Sequence, residues 1–245
     1  MSLIVVTFSG GDYDLTTQRI VEDSPKFGAT KVFVYDDLWL MDQEFYKLPN
    51  NRWLWETEWK RGFGWHVWKT LILLDTMRTE ATVGDVLLYL DADTYPIADL
   101  STLEGTALRD GAMFFAAGAG INSQWTKREC FIIMGQDTPK YHNGKAGNAG
   151  FFALKVGPWK TEQFLYEWMT YCCNPRCNQH ELSAVGSELP GYKDHRTDQS
   201  IMTNLVHKYG WEFHPDASEE PQKLFAQINQ TRAPTPPKGS RWRNV

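Results

Sequence analysis

The chain has 245 residues, enough for one large α/β domain or two small ones, and 42% of them are hydrophobic, which supports a sizeable core and excludes global disorder. A formal net charge of −5 excludes the basic footprint of a nucleic-acid-binding protein, so no nucleic-acid partner is expected. No apolar stretch reaches the length of a transmembrane segment, and the run Leu3 to Phe8 is too short, and lacks the basic flank, for a signal peptide; a soluble, cytoplasmic protein is expected.

Leu3-Ile-Val-Val-Thr-Phe8 reads as a first buried strand, running into the small-residue turn Ser9-Gly10-Gly11-Asp12. The turn lets backbone approach a ligand, but it has neither a phosphate-loop lysine nor a three-glycine dinucleotide fingerprint. A helix is predicted from about Leu15 to Glu22, then a strand over Lys31 to Tyr35 closed by Asp36-Asp37. Strand, helix and strand at this spacing open a parallel sheet. Residues 38 to 60 are aromatic and mixed in charge, with no clear period. In Arg61 to Met77, apolar residues at 65, 68, 72 and 73 fit one helix face, and Lys69 lies on that helix as a diphosphate contact or a surface lysine.

The stretch Asp85-Val-Leu-Leu-Tyr-Leu-Asp91-Ala-Asp93-Thr-Tyr-Pro96 organises the rest. Val86 to Leu90 is an apolar run suited to a strand buried on both faces. It ends in two carboxylates spaced i, i+2, and uncompensated buried charge costs several kcal/mol. Ligands of α/β folds sit at the carboxyl ends of strands, so a divalent cation with oxygen ligands is the economical reading. A solvent-exposed strand-to-loop junction is the alternative.

Ala112 to Ala117 is another buried strand. Residues 118 to 147 form an irregular excursion broken by Cys130-Phe-Ile-Ile-Met134, and Asn148 to Leu154 is strand-like. Trp159 to Tyr171 reads as an amphipathic helix, and Cys172 to Lys193 is loop-rich. The four cysteines match no paired Cys-x-x-Cys arrangement, so reduced, partly buried thiols are expected rather than a zinc site. Asp194-His-Arg-Thr-Asp198-Gln199-Ser200 opens a helix that ends at Gly210, where Thr197 or Asp198 is placed to cap it. The tail 232–245 is Pro-rich, basic and expected to be extended.

The ordered set resembles a GT-A glycosyltransferase, particularly the glycogenin-like and viral or bacterial polysaccharide-building enzymes. It comprises the N-terminal strand with its small-residue turn, the Trp68-Lys69 helix, Asp91-Ala92-Asp93, Asn148-Ala149-Gly150 and the His195-Arg-Thr-Asp-Gln-Ser start. The resemblance implies an α/β fold, a single Rossmann-like domain with a mainly parallel mixed sheet flanked by helices. That domain would span 1–231, with a donor half 1–117 and an acceptor half 118–231. It implies a nucleotide-diphosphate sugar donor, with a UDP-sugar as default, a glycan or other hydroxyl acceptor, and Mn²⁺ or Mg²⁺. Asp93 would ligate the metal, with Asp91 either sharing it or touching the donor's ribose, and His214 is available as a third ligand. Thr7, Phe8, Ser9, Arg61, Lys69 and Ala92 would join them in binding donor. Asn148, Ala149, Gly150, His195 and Gln199 would line sugar and acceptor, and Asp198 would be the acid nearest the reacting carbon. Asp198 would act as general base in an inverting enzyme, or sit on the opposite face in a retaining one.

Two other readings compete. Tyr89 to Thr94 also fits the nucleophile motif of haloacid-dehalogenase-type phosphatases, with Asp91 attacking phosphorus, though no downstream Gly-Asp-x-x-x-Asp follows. A catalytically silent nucleotide- or carbohydrate-binding relative would share the fold without turnover.

Overall fold

The computed structural model describes residues 1–10, 14–56 and 63–228. The predicted basic tail and Arg61 lie outside them. The strands β1 (Leu3–Ser9), β2 (Lys31–Asp36) and β3 (Val86–Leu90) are mutually parallel and carry the helices α1 (Asp14–Asp23) and α2 (Trp68–Thr79) between them. A short strand β4 (Thr94–Pro96) and helix α3 (Ser101–Asp110) follow. Next come the long strands β5 (Ala112–Ile121) and β6 (Lys145–Lys155). Helices α4 (Trp159–Cys172) and α5 (Asp198–Tyr209) and the short strands β7 (Phe213–His214) and β8 (Phe225–Gln227) complete the order.

The main sheet has the order β2-β1-β3-β6-β5-β7. β6 runs against both of its neighbours, whereas the other pairs are parallel. Every residue of β1 and β3 is buried, because helices cover both faces of the sheet. The strand period divides the core accordingly. Ile4, Val6, Phe8, Leu87 and Tyr89 pack with Ile72 and Leu73 of α2, Phe164 and Trp168 of α4, and Leu205 of α5. Leu3, Val5, Val86, Leu88 and Leu90 face Ile20 of α1 and Leu103 and Ala107 of α3.

Three local features differ from the sequence-based expectations. The helix expected through Trp65 starts only at Trp68. Gly64, Trp65 and His66 before it have left-handed backbones with φ of 60°, 50° and 62°. Gly64 lies so close to Trp55 that a Cβ there would come within 2.4 Å of the indole. The aperiodic region holds short helices over Asp37–Asp42, Glu44–Lys47 and Arg52–Trp55, the first capped by the Asp36 carboxylate accepting from Trp39 N at 2.7 Å. The excursion between β5 and β6 likewise contains the helices Asn122–Trp125, Arg128–Ile133 and Pro139–His142. All four cysteines are free, and Cys130, Cys172 and Cys177 are buried.

Phe114 joins the two ends of the larger core cluster, with ring centroids 5.7 Å from Phe152, 5.3 Å from Phe164 and 5.4 Å from Trp211. Phe114→Ala is expected to lower unfolding free energy by about 3–5 kcal/mol in denaturant titrations.

Candidate active site

The reversed direction of β6 creates the site. The carboxyl end of β3 meets the first half of β6, where Leu90 pairs with Phe151 and Asp91 N donates to Gly150 O at 2.7 Å. Asp91-Ala92-Asp93 and Asn148-Ala149-Gly150 therefore border one cleft of about 790 Å³, within the range of small-molecule sites. Phe8 and Gly10 enter it from the end of β1, and Gln199 from the first turn of α5. Gly150 permits the close approach: a Cβ there would lie 3.0 Å from Asn148 Oδ1 and 3.1 Å from Asp91 Oδ2.

At the cleft floor, Lys69 is only 4% exposed. Its Nζ lies 3.1 Å from Asp91 Oδ1 and 3.2 Å from Asp198 Oδ2, and donates to Ala149 O at 3.1 Å. Burial alone would pull the ammonium's pKa down, but Asp198 and then Asp91 outweigh it and raise it. Asp198 is the mirror case. Burial would push its carboxyl up, yet Lys69 and then His66 hold it well below the usual carboxylate range. The Tyr89 hydroxyl donates to Asp91 Oδ1 at 2.6 Å, which leaves Asp91 doubly held.

Asp93 is different. Among the described residues it has no ion-pair partner, and burial, followed by the charge of Asp91, raises its carboxyl pKa. Its Oδ1 accepts only from Thr94 Oγ1, at 3.0 Å. An acid raised by a neighbouring acid, on the wall of an open cleft, is what a divalent cation would relieve. Two protein carboxylates also leave coordination positions for phosphate oxygens and water.

Several expected site residues lie elsewhere. His195 is fully buried, with Nδ1 accepting from Lys127 N at 3.3 Å and Nε2 bonded to Cys177 O at 2.8 Å. Burial, followed by Lys127, pulls its pKa down to about 3, so it is a structural pin rather than an acceptor contact. His214 sits on the edge strand β7 opposite Phe115, outside the cleft lining, and its charged neighbours are Asp110, Arg109, Glu212 and Lys145 rather than Asp91 or Asp93. No group of three or more metal-ligating side chains forms among the described residues. Thr7 and Ser9 alternate to the sheet face opposite Phe8 and do not line the cleft. Lys69 lines the cleft, but its charge is directed at two carboxylates, which removes it as a free diphosphate cation.

The cap reading of Asp198 also fails. The helix is capped without a side-chain hydrogen bond, and the Asp198 carboxylate turns to Lys69 and to His66 Nδ1, 3.2 Å away. Thr197 before it has φ 48° and ψ −122°, a strained backbone for a β-branched residue that costs on the order of 1–3 kcal/mol.

Sequence reasoning missed Phe63, His66, Trp68, His180, Asp194, Arg196, Thr197 and Gln227 as cleft residues. Trp68 stacks on Phe8 with ring centroids 4.2 Å apart, and its place beside Lys69 was the available signal. Gln227 arrives through β8, which pairs with β4 directly after Asp93, and Ile228 N donates to Asp93 O at 2.9 Å. Nothing in the sequence around Gln227 marks it.

This sheet order, with the acid pair at the end of β3 and one reversed neighbour, is a GT-A-like glycosyltransferase fold. Among solved structures, the bifunctional glycosyltransferase WbbM in its apo form superposes with a TM-score of 0.50 at 12% identity, covering 87% of this chain and 38% of WbbM. The apo mouse xyloside xylosyltransferase 1 superposes with a TM-score of 0.48 at 11% identity, covering 89% of this chain and 86% of the mouse one. No protein-family model and no curated protein sequence matches the chain. Among the described residues, no helix is long and apolar enough to cross a membrane.

Lys69→Met should cost about 3–5 kcal/mol in chemical denaturation, because it leaves the buried Asp198 carboxylate without its cation; adding Asp198→Asn should recover part of that loss. Asp198 has a folded-state pKa below its unfolded one, so its stabilisation is present above the ordinary carboxylate range and lost as pH falls below about 4. The acid-unfolding limb of Asp198→Asn should therefore be shallower than that of the wild type. Gly150→Ala should displace the Asp91 carboxylate and weaken ligand binding far more than it lowers the thermal midpoint.

Proposed function

We propose that the protein is a metal-dependent glycosyltransferase that moves a hexosyl or pentosyl group from a nucleotide-diphosphate donor, with a UDP-sugar as default, to a glycan or other hydroxyl acceptor. The observation that carries this reading is the division of labour among the cleft acids. Asp91 and Asp198 share the single positive charge of Lys69, while Asp93 lines the cleft with no ion-pair partner among the described residues.

Asp91 and Asp93 would hold Mn²⁺ or Mg²⁺, which when bound supplies positive charge to the leaving diphosphate. Phe8 and Trp68 offer a stacked aromatic wall next to the end of β1, suited to the flat face of a base or sugar. The backbone of Asn148 to Gly150 and the Gln199 amide, which accepts from Ala149 N at 3.3 Å, form the floor under the transferred sugar. Asp198 lies behind Lys69, buried and outside the cleft lining. A carboxylate held this acidic is a weak proton acceptor, so its chemistry fits electrostatic stabilisation of an oxocarbenium-like carbon better than proton removal.

The phosphatase reading needs Asp91 as a free nucleophile, whereas Tyr89 and Lys69 both hold its Oδ1. No observation favours it. A silent relative would bind donor and release nothing, which the transfer assay separates.

Calorimetric titration with a panel of nucleoside diphosphates, with Mn²⁺ and then with excess chelator, should give metal-dependent binding of one nucleotide. No binding to any of them by folded protein would overturn the assignment. Asp93→Ala should abolish that binding while leaving the thermal midpoint near the wild-type value. Asp198→Asn should retain nucleotide binding and lose most transfer.

A further inference from the structure

One cation of the cleft has no role in this scheme. Arg196 lines the cleft just before the strained Thr197, with an exposed side chain. Lys69 is consumed by Asp91 and Asp198, and His66 faces Asp198. Among the described residues, no carboxylate pairs with the Arg196 guanidinium. Asp194, two residues away, is turned elsewhere: its Oδ1 accepts from His195 N at 2.9 Å and lies 3.9 Å from His180 Nδ1.

The position of Arg196 is built rather than accidental. Its guanidinium carbon sits 4.5 Å from the centroid of the Trp125 ring, and Lys193 Nζ lies 5.1 Å from the same ring. The backbone pins this segment to the helix Asn122–Trp125: Lys193 N donates to Gln124 O at 2.9 Å, and Arg196 N to Trp125 O at 3.1 Å. Ser200 Oγ locks the turn, accepting from Arg196 N at 2.9 Å and donating to Trp125 O at 2.5 Å. A stacked guanidinium keeps its planar fork of donors available at the ring edge, the geometry that suits a carboxylate or phosphate.

Topology says which substrate it meets. Along the sheet the order is β1, β3, β6, β5, with Phe8 at the end of β1 and the metal motif at the end of β3. Trp125 follows β5, so Arg196 is anchored on the side of the cleft away from β1 and the diphosphate. We propose that the acceptor carries an anionic group, a carboxylate or a phosphate, which Arg196 binds from its platform on Trp125, with Lys193 adding positive charge. This inference rests on the transferase reading for the word acceptor, but the anion contact can be tested without turnover.

The experiment is binding of the Mn²⁺- and nucleoside-diphosphate-loaded protein to an array holding neutral glycans and their uronate-, sialate- and phosphate-bearing counterparts. The expected result is binding concentrated on anionic glycans, with roughly a tenfold or greater loss in Arg196→Gln and partial retention in Arg196→Lys. Carboxylate-bearing and phosphate-bearing features separate the two sources of the anion. Preference for neutral glycans, absence of anionic binding, or unchanged array binding by Arg196→Gln would overturn the proposal. So would loss of nucleoside-diphosphate affinity in Arg196→Gln, which would place Arg196 on the donor. If wild-type protein binds no nucleotide but still selects anionic glycans through Arg196, the transferase reading fails and the anion site stands.

Discussion

The Lys69 ammonium between Asp91 and Asp198 is the contact on which the cleft depends. It joins three segments distant in sequence: the first turn of α2, the end of β3 and the start of α5. Lys69 and Asp198 are buried, where either charge left unpaired would cost several kcal/mol, while Asp91 meets them from the half-exposed cleft wall. The cluster therefore holds together as a set. Its geometry also keeps the buried Asp198 ionised, and Asp91 oriented, through the Tyr89 hydroxyl, beside Asp93.

β6 gives that cluster its floor. A parallel strand next to β3 would bring its own carboxyl end to the cleft, and with it a connecting loop. The reversed strand instead offers mid-strand backbone at Asn148 to Gly150, already fixed by pairing with β5 and β3. The backbone groups of Ala149 and Gly150 are taken up by Lys69, Gln199, Asn148 and Asp91, which holds the floor rigid next to the acids. The irregular chemistry is pushed to the opposite wall, where the turn Lys193–Thr197 rests on Trp125.

The sheet was readable because β1 and β3 are buried on both faces, which leaves uninterrupted apolar runs ending in polar residues. The acids stand out as the abrupt end of such a run, whereas Asn148-Ala149-Gly150 lies in mid-strand and was marked only by the family resemblance. Short helices such as Glu44–Lys47 span too few residues to leave a period. The left-handed turn through Trp65 and His66 was hidden because neither residue is glycine. His195 was misplaced for a related reason. It is three residues from Asp198, but the positive φ of Thr197 lies between them, and the imidazole turns to Lys127 and Cys177 while the carboxylate turns to Lys69 and His66. His214 had only its residue type to recommend it, and the strand pairing of β7 puts it at the sheet edge.

β8 has a bearing on how the protein is made. Phe225 to Gln227 pair with the strand that follows Asp93, and Ile228 N closes on the carbonyl of Asp93 itself. The acid motif is thus translated early and framed late. While the ribosome is still extending the chain, β1 to β3 can pair, but the Asp93 carbonyl does not meet Ile228 N until residue 228 has emerged. The wall of the cleft that carries Asp93 and Gln227 is therefore finished only after the sheet, so a nascent chain carries the sheet without a finished cleft.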